Sequence, residues 1–485
     1  MQFPLINKFQ QSLAEYVNLF FCTRSSLMKN KVNAEGLVVY LPIKLDSVLF
    51  IEYIQEFDEH AKITIKAILH ADETEENVYE MNMKDTLLLK EKEKILFCGV
   101  PTKVRTKVVG GVVHVEIEGK SKSILLDLQK KKRSFQKKQT YKNMMENVLG
   151  NDGILYMQND LETKKKEQLV VQYRETDWDF IKRMASHLHV PVCPKINMEK
   201  TGIYVGKQEH KQIEQETAYY KVKKNVEEYV KYHVQDASVT NKEFTSLYIR
   251  SDKQYVIGDW MKHANGKYIV SKVHMKYEDG MPHYYYTLKN EKGFKWRKKF
   301  QKKIAGCSIN GKIIKVQKDQ VKLHLCIDKT QAVEEALWFQ VAIGYTAEGS
   351  TGLYTAMDEG ENVKLFFPSA DEGKAYVRCV DKNDSDSSQH FSDPVTKCYG
   401  TPYGSCMQTT KDGFLISCVK DEIFVRMTES DGIVLESAEN VEIFTEKKID
   451  MECKKLSITS QDKIIFNTTG SNIIVDETMH FKTKG

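Results

Sequence analysis

The chain has 485 residues, 41% hydrophobic and 29% charged, with 9 prolines. That length fits roughly two to four domains with real cores, and the apolar content with a net charge of only +5 excludes a disordered chain. Its 10 cysteines form no C-x-x-C pair, which excludes zinc ribbons and thioredoxin-like sites and leaves buried reduced thiols as their plain role.

The N-terminal stretch Met1–Asn7 has no positive n-region, apolar run or small-residue cleavage site. No stretch approaches the roughly 18 apolar residues of a spanning helix. Cytoplasmic synthesis without a signal peptide is the expectation. The first third reads as β structure. Ile63, Ile65 and Ala67 alternate with Lys62, Thr64 and Lys66, and Val113, Val115 and Ile117 follow the Gly110-Gly111 hairpin signal. A helix is predicted from the N-cap Thr140 through Tyr141, Met144, Met145, Val148 and Leu149 to the stop at Gly150. A second starts at Thr176, with Asp179 completing a capping box, a buried stripe of Phe180, Ile181, Met184, Ala185 and Leu188, and Pro191 ending it.

From about Gln208 to Val234 the charged text fits either a helix or a long solvated excursion. Strands resume at Leu247–Ile249. Asn265-Gly266 marks a hairpin between Trp260-Met261 and Tyr268–Val270, and Met281–Leu288 closes that sheet. The basic connector Lys295–Lys303 marks a boundary. Ile304 to Val380 reads as a small β-barrel, with strands at Ile313–Val316, Val321–Leu325, Val363–Pro368 and Ala375–Val380. Asp381–Ser388, nearly all Asp, Ser, Asn and Lys, is a linker.

The tail carries the most informative pattern. Apolar pairs recur about every eight residues: Ile433/Leu435, Val441/Ile443, Ile449/Met451, Leu456/Ile458, Ile464/Phe466, Ile473/Val475 and Met479/Phe481. Strand alternation turns each pair to one side, yet strands this short bury too little to stand alone. Three chains wrapped into a triangular prism would bury the pairs and leave no sheet edge. The plain alternative is an antiparallel meander.

At this point the residues resemble a known family: VgrG-type spike proteins of contractile injection systems, equivalent to fused phage baseplate hub and tail-spike proteins. Gln172 to Ile181, with the hub motif Tyr173, Arg174, Glu175, Thr176, Asp177, Trp178 and Phe180, is similar to the family's Q-Y-R-E-[ST]-D-[FW]-x-F-[IL] segment. Trp338-Phe339, Glu348–Tyr354, Val363–Pro368 and Asp371–Val377 look like the spike's oligonucleotide/oligosaccharide-binding (OB) barrel in the Gram-positive, phage-tail-like bacteriocin branch. Ser392-Asp393-Pro394 entering the tail fits the same branch.

The resemblance implies a mainly β homotrimer: a hub of two β-barrel subdomains with inserted helices over 1–300, an OB-type barrel over 301–388, and a triple-stranded β-helix needle over 389–485. It implies partners as well: a hexameric tail tube or tube-initiator protein, baseplate proteins, a tape-measure protein, a tip-capping protein and the target cell envelope that the needle punctures. Assembly at the baseplate of a tail-like particle, then release or delivery to that envelope, is the implied route. The chain departs from the family in lacking a lysozyme-like insertion between barrel and tail and a regular valine–glycine repeat. No toxin domain is expected past Gly485.

Some relatives end in an H-x-H pair binding an apical metal. Here His480 stands alone, alternating with Met479 and Phe481, and is the weak candidate for a tip metal; no cofactor is otherwise expected. Glu175, Asp177 and Asp179 are close carboxylates, but Asp179 is explained by the cap and Arg174 offers Glu175 a charge partner. No G-x-S-x-G, H-E-x-x-H or P-loop motif is present, so no enzyme activity is expected. Lys130–Arg133 and Lys164–Lys166 read as exposed turns. Two other classes compete with the spike: an OB-fold nucleic-acid binder using the Lys295–Lys303 connector, which is disfavoured, and a β-helical polysaccharide hydrolase.

Overall fold

The computed structural model describes residues 28–31, 36–208, 210–213, 220–234, 237–264, 266–278, 280–294, 296–342, 345–347, 351–353, 357–380, 395–401, 403–418, 422–467, 469–470 and 472–475. Met1–Asn7, Asn265, Lys295, Glu348–Ser350, Tyr354, Asp381–Ser388, Ser392–Pro394 and the tip residues Met479, His480 and Phe481 lie outside them. The protein is mainly β, as the alternating runs require. It divides into two units, Met1–Asn383 and Asp384–Gly485.

The first unit is organised by a twelve-stranded, wholly antiparallel sheet. Its first lobe runs Met28–Lys31, Leu37–Leu41, Leu87–Glu91, Lys94–Val109, Val112–Ser121, Lys62–Leu69 and Leu45–Glu56. The lobe curls back on itself at buried Asn30, which donates to Ile43 O (3.1 Å) and accepts from Leu45 N (2.7 Å). The second lobe contains Gly266–Glu278, Met281–Asn290, Thr245–Ser251 and Tyr220–Lys224, with Trp260–His263 beside Gly266–Glu278. The lobes join where Leu45–Glu56 pairs with Gly266–Glu278, Tyr53 opposite Met275. One apolar core runs through both, from Leu37 to Phe294. Ile63, Ile65 and Ala67 point into it, as their alternation requires.

The described part of the charged stretch after Gln208 holds a helix, Val226–His233, with no buried residue, and an edge strand of exposed residues, Tyr220–Lys224, that pairs with Thr245–Ser251 where no strand was expected. Asn225 caps that helix by accepting from Glu228 N.

A helical layer sits between the lobes in sequence. The helix Tyr141–Leu149 is capped by Thr140, which accepts from Asn143 N (3.1 Å), and stops at Gly150 with φ 66°. The helix Asp177–His187 is capped by Thr176, which accepts from Asp179 N (3.2 Å). Only half of its expected capping box forms, because the Asp179 carboxylate turns to Lys182 one turn on (3.3 Å). The buried faces of both helices pack with Gly153–Met157, Val192–Lys195 and Thr201–Val205 into a second core.

Ser308–Gln317, Gln320–Leu325, Trp338–Gln340, Asn362–Phe366 and Tyr376–Val380 form a five-stranded sheet around a third core. Counted in chain order, the strands lie third, second, first, fourth, fifth. A parallel bridge between Val341 and Val377 joins the two outer strands and closes a barrel.

In the second unit, Lys397–Gly400, Cys406–Thr409, Gly413–Cys418, Ile423–Thr428 and Gly432–Ser437 form an antiparallel sheet in chain order. Residues 438–463 carry no strand or helix. Ile464–Asn467 and Asn472–Val475 then make a hairpin.

Candidate functional site

The hub motif is the hinge between two cores. Val170–Thr176 pairs antiparallel with Lys130–Phe135. Val170 points into the helical core, whereas Leu169, Val171 and Tyr173 fill the barrel core. The register shifts between Tyr173 and Glu175 at Arg174, whose φ is 49°. Such a bulge bends a strand, and here the bend leads directly into the helix Asp177–His187. Trp178, Phe180 and Ile181 then enter the helical core. Thirteen consecutive residues, Leu169–Ile181, thus serve two cores.

The polar residues of the motif fasten the joint. Arg183, 3% exposed, donates from Nε to both Glu175 oxygens (3.1 and 3.3 Å) and from Nη2 to Val171 O (2.8 Å). Its Nη1 donates to Glu372 Oε1 (2.9 Å), which belongs to the barrel. Gln301 Nε2 donates to Glu175 Oε2 (3.0 Å). Burial pushes the Glu175 carboxyl above its ordinary range, an effect that Arg183 opposes. The charge partner of Glu175 is therefore Arg183, eight residues on, and Arg174 instead projects into solvent beside the Tyr173 ring. Gly373 allows the close approach of the barrel loop: a Cβ there would lie 2.6 Å from Gln168 Oε1.

Asp177 is buried and accepts from Lys131 Nζ (2.5 Å), Gln172 Nε2 (2.9 Å) and Arg133. Lys130–Lys132 and Arg133 are thus no exposed turn. They lie on a paired strand whose alternate cations turn inward to a carboxylate. Ser134 fixes the same strand to the barrel through Asp328 (2.7 and 2.6 Å), and Gln136 Nε2 donates to Leu323 O (3.0 Å). Lys166 likewise departs from the expected turn. It is buried, donates to Phe135 O (2.7 Å) and Gln168 O (3.3 Å), and burial lowers its pKa to about 8. Glu175 and Asp177 are each neutralised by cations, so they make an ion-pair network and no acid/base pair.

Two histidines sit in this joint uncharged. His60 stacks on Trp178 at 4.5 Å between centroids, its Nδ1 is 2.8 Å from Ser123 Oγ, and burial lowers its pKa to about 4. His187, also lowered to about 4 by burial, donates from Nε2 to Lys299 O (3.0 Å). The basic connector is strapped down here. Lys299 N donates to Ser186 Oγ (2.9 Å), Trp296 Nε1 to Asp58 Oδ2 (2.6 Å), and the Arg297 guanidinium stacks 4.3 Å from Tyr232.

The tail candidates present the opposite picture. Ile433 and Leu435 lie on the last strand of the five-stranded sheet, opposite Met427 and Val425, with both side chains exposed. Val441, Ile443, Ile449, Met451, Leu456 and Ile458 lie in the strandless stretch and are 50–72% exposed. Ile464 pairs with Val475 and Phe466 with Ile473 across the terminal hairpin. Among the described residues no cluster of His, Cys, Asp or Glu could hold a metal. No helix among them is long and apolar enough to cross a membrane.

Sequence reading missed Arg183, Glu372, Gln301, Gln136 and Asp328. Arg183 had one signal, a cation flanking the apolar stripe of its helix; the others are set by contacts across 126 to 201 residues of chain.

A helical core is spliced through one strand and helix to a small barrel, and the tail carries exposed apolar side chains. Residues 75–188 match the family model of the phage tail baseplate hub (GPD). In fold it is similar to VgrG-type spikes. A VgrG complex with PdpA from Francisella, half-lidded, shares 8% identity at a TM-score of 0.54, over 89% of this chain and 91% of that one. The lidded form of that complex gives 0.53. An E. coli type VI secretion component, described as similar to the T4 bacteriophage tail proteins gp27 and gp5, shares 14% identity at a TM-score of 0.50, over 69% and 96%. No curated protein matches the sequence.

Proposed function

We propose that the chain is the hub-spike subunit of a contractile tail or injection machine, and that it works as a homotrimer. The observation that carries this is the apolar series from Val441 to Ile458, exposed in the single chain and without a strand partner in it. Exposed apolar surface repeated at a fixed step is the surface of an interface. Two further copies would bury each pair about one axis, as a triple-stranded β-helix over roughly the last hundred residues.

The match of residues 75–188 to the baseplate hub family supports the tail tube side of this reading, with baseplate and tape-measure proteins as neighbours, and the strand order over Ser308–Val380 supports an OB-type collar. The task is mechanical. Inter-chain hydrogen bonds and buried pairs resist axial load, and the buried Arg183 network holds hub to barrel when the needle meets an envelope. No chemical step is part of the reading.

Mass in solution tests it. A trimer is expected, and a monomer of 56.1 kDa would sink the proposal. Ile449→Asp places three charges near the axis and is expected to abolish assembly while the hub melts normally.

A further inference from the structure

The second unit holds a pair of thiols that the mechanical reading does not use. Cys398 lies on the edge strand Lys397–Gly400, and Cys406 starts the neighbouring strand. In the register, Cys398 faces Gln408 and Gly400 faces Cys406, so the cysteines are diagonal neighbours on one side of the sheet. Their sulfurs are 3.2 Å apart and are not bonded. A disulfide needs about 2.05 Å, so closure brings the sulfurs about 1.1 Å nearer.

The local structure suits that movement. Gly400 leaves the space beside Cys398 open: a Cβ there would stand 3.8 Å from the Cys398 sulfur. The intervening turn is already closed by Thr401 N donating to Ser405 O (2.9 Å) and Gly404 N donating to Thr401 O (3.1 Å). Cys418 follows Ser417, which pairs with Cys406, and strand alternation therefore points it to the opposite side. Cys398 has only one partner among the described cysteines.

The geometry points to Cys398 and Cys406 as a dithiol modification site that closes to an intrachain disulfide when the protein meets a small oxidised disulfide of the glutathione type. Cys398 is the more exposed and reacts first. Its thiolate attacks one sulfur of the small disulfide, expelling one thiolate and leaving a mixed disulfide. The Cys406 thiolate then attacks the Cys398 sulfur and expels the second. The two protein thiol protons end on the two small thiols, so the protein is oxidised by two electrons and the disulfide is reduced to two thiols. A chain folded under reducing conditions and later exposed to oxidising ones would thus staple the edge strand of its second unit. Nothing in this depends on trimer formation.

The test uses the full chain in glutathione buffers of rising oxidised fraction, followed by alkylation, intact mass and peptide mapping. Expected is a link between the peptides bearing Cys398 and Cys406, with any glutathione adducts confined to other cysteines such as the exposed Cys326, Cys418 and Cys453. Mixing isotope-labelled with unlabelled protein should give no hybrid link. Cys406→Ser should stop at a glutathione adduct on Cys398, and Cys418→Ser should leave the link between Cys398 and Cys406 unchanged. A persistent adduct on Cys398 in the unaltered chain, a link between chains, or Cys398 and Cys406 still free under full oxidation would overturn the proposal.

Discussion

The two units use the same strand alternation to opposite ends. In Met1–Asn383, the central alternating runs find a facing layer within the chain: Ile63, Ile65 and Ala67 are buried, and three cores result among the described residues. In the second unit, no apolar side chain among the described residues is buried; Ser417 alone is. Its apolar residues are of the same kinds. They lack a second layer. An alternating strand therefore encodes a face, and whether that face is covered by the same chain is a separate matter.

Breaking the joint of the first unit should have the largest effect. Arg183→Ala leaves Glu175 and Glu372 buried without a counter-charge and is expected to cost about 3–5 kcal/mol. Denaturant unfolding followed by Trp178 fluorescence would read it; a cost under about 1 kcal/mol would show that the network does not hold the joint. Matched truncations sharpen the contrast between units. Ile65→Ala, in the core, should cost about 2–5 kcal/mol. Ile443→Ala, at 72% exposure, should leave the isolated chain within about 0.5 kcal/mol yet weaken self-association. Equal costs at the two sites would remove the contrast.

Acid should act on the joint before the tail. His60 and His187 have folded pKa values of about 4, below the ordinary value of 6.5. Between those limits the unfolded chain binds more protons, so stability is full above pH 6.5 and is lost as pH falls toward 4. Melting temperature should drop through that window and flatten in the double variant His60→Gln, His187→Gln; an unchanged slope would assign the acid response to other groups. The smallest effect lies at alkaline pH. Lys166 titrates near 8 when folded and near 10.5 when unfolded, so raising pH across that window favours the folded state. The stability of the unaltered chain relative to Lys166→Met should rise from pH 8 to 10, and a constant difference would place Lys166 in contact with water.

Local signals were legible where the physics is local. The caps Thr140 and Thr176, the stop at Gly150 and the 260–270 hairpin are decided by neighbours within a few residues, and each stands where its sequence pattern predicts. Spacing also delivered the barrel hairpins at 313–325 and 363–380. Charge was read less well. Lys131, Arg133 and Lys166 look like any solvated basic run, because a lysine facing a buried carboxylate and one facing water are spelled alike.

By itself, then, the sequence determined the main strands of the first unit and the helix caps, since periodicity and capping act over one turn or one strand. Only tertiary structure decided that Glu175 meets Arg183 and Glu372, that the basic connector is tied to the motif helix, and that the hub motif serves two cores. Those facts depend on residues brought together across more than a hundred positions, and no local free energy distinguishes them before the layers close.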